Sequence, residues 1–169
     1  QKTYQAYQLI EEILAESKIE GEIIKYQGEI LTSEFIKQAV EKILLAENLI
    51  CSEGIIISSG EQTAIPHHEG EGPIKPNQFI ICDIFPRDRS NGYFSDMTRT
   101  YIKGKPTEEM KKMYETVLQA QKVGIESIKP NIQGNEVHQQ CVQKFLELNY
   151  HIGDIGFVHG TGHGLGLDC

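Results

Sequence analysis

The chain has 169 residues, 39% of them hydrophobic and 24% charged, which is the make-up of a soluble globular domain with enough apolar material for one core. Sixteen Lys and Arg against 24 Asp and Glu give a formal charge of −8, and no window gathers bases without acids beside them, so the electrostatic footprint of nucleic-acid binding is missing. No run is long and apolar enough to span a bilayer, and Gln1 to Gln8 lacks the basic start and apolar centre of a signal peptide; the expectation is a cytoplasmic chain without a membrane partner.

Residues 3–17 place Tyr4, Tyr7, Ile10, Ile13 and Leu14 at helical intervals and predict an amphipathic helix. A second helix is predicted over 33–47, with Ser33 as its cap, Glu34 favouring its positive end, Ile36, Val40, Ile43 and Leu44 as the buried stripe, and Asn48 as terminator. Gly54-Ile-Ile-Ile-Ser-Ser-Gly60 is a β-branched run closed by glycine, hence a strand and a turn. Residues 61–77, rich in Gly and Pro, read as loop. Residues 78–85 form an apolar strand carrying Asp83, 86–91 a connection, and 93–102 a β-rich run carrying Asp96. A long helix over 107–129 follows Pro106, with Glu108 and Glu109 in its first turn, Met110, Met113, Tyr114, Val117, Ile125 and Ile128 as its apolar side, and Lys129-Pro130 as its stop. The last predicted helix, 134–148, has Val137, Cys141, Phe145 and Leu148 as its core face, and the remainder reads as glycine-broken strand and loop. Helices alternate with neighbouring antiparallel strands, which indicates an α+β class, with one domain as the default. The four cysteines, Cys51, Cys82, Cys141 and Cys169, form no Cys-x-x-Cys pair and read as reduced, mostly buried thiols, in keeping with the cytoplasm.

Asp83 lies between Ile81, Cys82, Ile84 and Phe85, and a carboxylate in such a strand is costly to desolvate unless something positive compensates. Arg87 or Arg99 would be the structural partner. The companion Asp96 turns the reading toward a cation, since paired acids at neighbouring strand positions can bridge two metal ions, and oxygen donors with imidazole suit Mn²⁺, Zn²⁺, Co²⁺ or Fe²⁺. His159 and His163 stand in His159-Gly-Thr-Gly-His-Gly-Leu-Gly166, where the glycines argue against a helical zinc motif and for a loop that exploits close backbone approach. No Lys-Ser/Thr follows, so a phosphate loop is disfavoured. Pro66-His67-His68 sits in the long loop; His138 and His151 have no partner motif and read as surface or helix residues.

The order Pro-His, Asp in a strand, Asp-x-Thr-Arg-Thr, then His-Gly-x-Gly-His-Gly resembles the pita-bread metallopeptidases, a family that includes methionine aminopeptidases, Xaa-Pro aminopeptidases, prolidases and creatinases. The likeness begins near Leu31-Thr-Ser-Glu34 and runs to the last residue. It implies a pita-bread fold, incomplete here: an antiparallel curved sheet with flanking helices, in which residues 1–169 are part of the catalytic domain, without an N-terminal domain and without the C-terminal portion that supplies two glutamate ligands. It implies Asp83, Asp96 and His163 as metal ligands, two divalent ions (Mn, Co, Zn or Fe) in the complete enzyme, and His67 and His159 as catalytic residues that hold the substrate carbonyl or pass protons. Thr98 and Arg99 would orient Asp96, and His68 would be solvent-exposed. A histidine at the position of His159 points to the Xaa-Pro and prolidase branch. The implied activity is removal of an N-terminal residue from a peptide with proline second, in a homodimer or alone; the alternatives are a non-enzymatic pita-bread binding module and a creatinase-like hydrolase. Residues 1–169 alone would be inactive. Two departures stand out: Phe85 replaces the usual glycine two residues after the first Asp, and the gap between the acids is longer by about two residues, an even insertion that keeps their facing.

Overall fold

The computed structural model describes residues 2–153 and 156–168, so Cys169 and its predicted thiol lie outside the described residues. The chain gathers into two compact units, Gln1–Lys105 with Gly164–Cys169, and Pro106–His163.

In the first unit, α1 (Lys2–Glu16) buries Ala6, Tyr7, Ile10, Ile13 and Leu14. The helix phase turns Tyr4 outward, to 51% exposure, because Thr3 rather than Tyr4 completes the inward stripe. Three short antiparallel strands follow, β1 (Lys18–Glu20), β2 (Ile23–Tyr26) and β3 (Glu29–Ile30), a meander for which the sequence gives no period-two signal. Helix α2 (Ser33–Ala46) buries Ile36, Val40 and Leu44, with Ile43 partly buried. Its cap is Thr32, not Ser33: the extended backbone of Thr32 lets its hydroxyl accept from Phe35 N at 3.2 Å, whereas the buried Ser33 hydroxyl donates to Ile57 O at 2.6 Å. Glu34 accepts from Gly72 N at 2.9 Å, and this bond holds its carboxyl below the usual range. Asn48, in the left-handed region at φ 64°, ends the helix as expected.

Strand β4 (Leu49–Ile50) precedes β5 (Ile56–Ser59), and a 3-10 turn (Gly60–Ala64) leads into the long loop. Then come β6 (Phe79–Ile84), β7 (Arg87–Asp88) and β8 (Met97–Ile102). The sheet runs β5-β6-β8, antiparallel throughout, with Ile57 opposite Cys82, Asp83 opposite Thr98, and Ile84 opposite Met97. The second acid therefore precedes its strand by one residue. The connection between β6 and β8 is itself structured: β7 pairs with β4, Arg87 bridges Phe94, and the Asp88 carboxylate accepts from Ser90 N at 2.7 Å. Local hydrogen bonding thus absorbs the extra length without a register slip.

In the second unit, α3 (Glu108–Ser127), capped by Thr107, buries Thr116, Ala120, Gly124 and Ser127 rather than the larger residues expected. Met113, Tyr114, Val117, Ile125 and Ile128 are exposed. The reason is proximity to α4 (Gly134–Glu147), whose Val137, Cys141 and Phe145 are buried: a Cβ on Gly124 would sit 2.9 Å from Cys141 Sγ, so only small residues fit the seam. Leu148 is only partly buried. Cys82 and Cys141 are buried free thiols; Cys51 is partly buried, and burial pushes its thiol up to about 11. Among the described residues no helix is long and apolar enough to cross a membrane.

Candidate metal centre

Alternation along β6 turns Ile80, Cys82 and Ile84 into the core and leaves Phe79, Ile81 and Asp83 on the opposite, half-open face. The antiparallel register puts Thr98 across from Asp83, and its hydroxyl donates to Asp83 Oδ1 at 2.7 Å. Asp96, two residues before Thr98, shares that face and reaches the Asp83 carboxyl by hydrogen bond. The expected facing of the two acids is present.

Desolvation holds the Asp83 carboxyl above the usual carboxylate range, and the neighbouring charge and hydrogen bond of Asp96 raise it further. The Thr98 hydrogen bond and the charge of His67 pull it down. The Thr98 hydroxyl therefore orients Asp83. Neither arginine neutralises the acid. Arg99 donates to Thr98 O at 2.8 Å and lies 5.6 Å from the Tyr7 ring centre, and Arg87 donates to Gly92 O at 2.9 Å and lies 5.8 Å from the Phe94 ring.

Tyr7, in the sequence simply part of an apolar stripe, supports this hairpin from behind, its hydroxyl donating to the carbonyls of Cys82 and Met97. A tyrosine on an inward helix face needs such a partner, which was the available signal. The loop that carries the histidines is tied to β5. Ile57 N donates to Glu69 O at 2.9 Å, and Gly70 (φ 83°) passes so close that a Cβ would lie 1.8 Å from Ile57 O. His67 adopts a left-handed φ of 60° and is exposed. His68 is half-buried rather than exposed, because its Nδ1 accepts from Gly70 N at 3.0 Å.

The glycine-rich segment is a loop, as expected, but its glycines are not sites of close approach: a Cβ at Gly160, Gly162 or Gly164 would meet nothing within 4 Å. In the second unit, His159 is exposed and donates from Nδ1 to Gly160 O at 2.7 Å. His163, also exposed, belongs to the same unit. His138 is not a bare helix residue, since its Nδ1 lies 2.8 Å from Thr161 Oγ1. His151 is exposed, in line with the sequence reading. In the first unit, Phe94 N donates to Gly166 O at 2.8 Å, which ties the end of this segment to the hairpin that carries the acids.

Among the described residues no group of three or more His, Cys, Asp or Glu stands together as a cation site, so the acids at 83 and 96 are the pair brought together here. Two carboxylates joined by a hydrogen bond, one of them also held by the Thr98 hydroxyl, are a donor set suited to a divalent cation.

The model described as Metallopeptidase family M24 matches residues 3–169. The chain belongs to that family. A Xaa-Pro dipeptidase of Pyrococcus furiosus is 36% identical over 114 residues, 67% of this chain and 31% of its own length. The solved prolidase from Pyrococcus furiosus superposes with a TM-score of 0.77 at 27% identity, covering 98% of this chain and 46% of the prolidase. An X-Pro aminopeptidase structure from Thermotoga maritima, at 22% identity and a TM-score of 0.73 over 98% of this chain and 42% of its own, agrees at the level of the fold. The α+β class and the pita-bread fold expected from the motifs are borne out over the part of that fold which the chain covers. The chain spans about a third of the length of the curated relatives it matches.

Proposed function

We propose that residues 1–169 contribute the aspartate half of a metal-dependent peptidase that releases the N-terminal residue from peptides with proline at the second position. The observation that carries the reading is the Asp83–Asp96 pair, hydrogen-bonded on one face of the sheet with Thr98 holding one Asp83 oxygen. Asp83 and Asp96 would hold the cations, joined by His163 and by donors from the remainder of an enzyme of the relatives' length, so that this chain is one part of the catalytic domain. When bound, two divalent ions supply Lewis-acid polarisation of the scissile carbonyl and a more acidic water; Mn²⁺, Co²⁺, Zn²⁺ and Fe²⁺ all suit such donors. Thr98 occupies one Asp83 oxygen and so aims the other. His159 commits its Nδ1 proton to Gly160 O, which leaves Nε2 to face substrate. To donate to a substrate oxygen, that ring must be an imidazolium; neutral, it accepts a proton instead. His67 serves as a second proton carrier. The reduced thiols suit the cytoplasm.

Hydrolysis of Xaa-Pro dipeptides and of longer Xaa-Pro peptides in Mn²⁺, by the longest polypeptide the gene encodes, tests this reading. Turnover that Asp96→Asn lowers by about a thousandfold or more, with circular dichroism unchanged, is the expected result, since removing a ligand removes the ion's several kcal/mol of charge stabilisation. Undiminished turnover in that variant overturns it.

A further inference from the structure

Residues 157–163 carry two glycines, Gly160 and Gly162, with Gly156 just before them, and His159 in their midst is exposed. Glycine gives up more backbone freedom on ordering than any other residue, and Cβ positions at Gly160 and Gly162 point into open space, so packing at those glycines does not hold the segment. Two side chains do. Phe157 stacks on Phe145 of α4 with ring centres 4.8 Å apart and meets His138 at 5.5 Å and His159, edge-on, at 4.9 Å. Thr161 is held by His138 Nδ1 at 2.8 Å, its methyl 3.7 Å from where a Cβ on Gly124 of α3 would stand. His138 is common to both anchors. It touches the loop two residues before His159 and two residues after it, and it stands on the same helix side as Phe145, seven residues along.

We propose that His138 is a positioning residue: by fixing Thr161 through its ring nitrogen and Phe157 through its ring face, it sets the direction of His159 and of the backbone leading to His163. The last step, the effect on substrate, rests on the peptidase reading; the brace itself does not. Three variants separate its parts. His138→Phe keeps the ring contact and loses the hydrogen bond, His138→Asn keeps a hydrogen-bonding group near the Nδ1 position and loses the ring, and His138→Ala loses both.

The test is NMR on the 169-residue chain without metal, reading the Thr161 χ1 couplings and the backbone order parameters of residues 158–162. In the unsubstituted chain Thr161 holds one rotamer, with order parameters near about 0.85; in His138→Ala they fall below about 0.6 and the couplings average. His138→Asn restores the Thr161 rotamer and His138→Phe does not. Should His138→Ala perturb the whole helix, Thr161→Val, which leaves α4 untouched, must loosen residues 158–162 in the same way. A single Thr161 rotamer in His138→Ala or His138→Phe, an averaged one in the unsubstituted chain, or a loop unaffected by Thr161→Val overturns the proposal. In the longest encoded polypeptide, kcat falls about tenfold in His138→Ala with KM unchanged and recovers in His138→Asn. Absence of any turnover beside an intact NMR result would reject the peptidase reading and leave the brace standing.

Discussion

Asp83 shows what a single side chain contributes when its partners are fixed by strand register. Its carboxyl, half-buried and next to Asp96, titrates above the ordinary value of 3.8 in the fold. The folded chain therefore binds that proton more tightly than the unfolded chain does. By linkage, the stabilisation from protonating Asp83 is fully present below the ordinary carboxylate value and is lost as pH rises through the raised one. Glu34, Asp88 and Glu147, all shifted downward by hydrogen bonds or by Lys144, pull the opposite way, so a difference measurement is needed. Urea midpoints of chelator-treated protein, compared with Asp83→Asn across the acid range, should show the unsubstituted chain losing stability relative to the variant as pH rises. Added Mn²⁺ should reverse that trend, since the cation takes the proton's place. A flat difference would mean that the fold does not raise the Asp83 carboxyl. The pairing was legible in the sequence because two acids in β-rich runs have few other uses. What Thr98 does was not, since register rather than composition decides which acid it faces.

Elements divide by how loudly hydrophobicity marks them. Helices α1 and α2 and strand β6 bury their apolar residues at the proper periods, β5 is marked by its β-branched run, and the sequence shows all four. The β1-β2-β3 meander is silent, because its strands are two to four residues long and Ile24 is its one fully buried member. The seam between α3 and α4 misleads, since close approach selects small residues and leaves the large apolar ones outside, where a periodicity reading seeks the core. Gly124 is the tightest point. A valine there adds branched bulk where a bare Cβ already lies 2.9 Å from Cys141 Sγ, and it should cost about 1–3 kcal/mol as overpacking, read from urea or thermal unfolding. Combining Gly124→Val with Cys141→Ala should recover part of the loss, because neighbours that share one space are not additive. Additive losses would place the strain elsewhere.

At the scale of the whole chain, the question is how many cations 169 residues can hold. Asp83 and Asp96 bring two negative charges to one face, and two divalent ions bring four positive ones, so a dinuclear site on this pair alone would repel itself. First-row divalent ions also want about four to six donors each, and the described residues gather no cluster of three candidate side chains. One ion can still profit from displacing the proton that the two acids share. Calorimetric titration of the 169-residue chain with Mn²⁺ should therefore give a stoichiometry no greater than one, binding lost in Asp96→Asn, and no hydrolysis of Xaa-Pro dipeptides. The longest encoded polypeptide, if its further length supplies anionic donors as its membership of the M24 family suggests, should bind two. Tight uptake of two ions by residues 1–169, or turnover by them, would show that donors other than the 83–96 pair complete the centre within this stretch of chain.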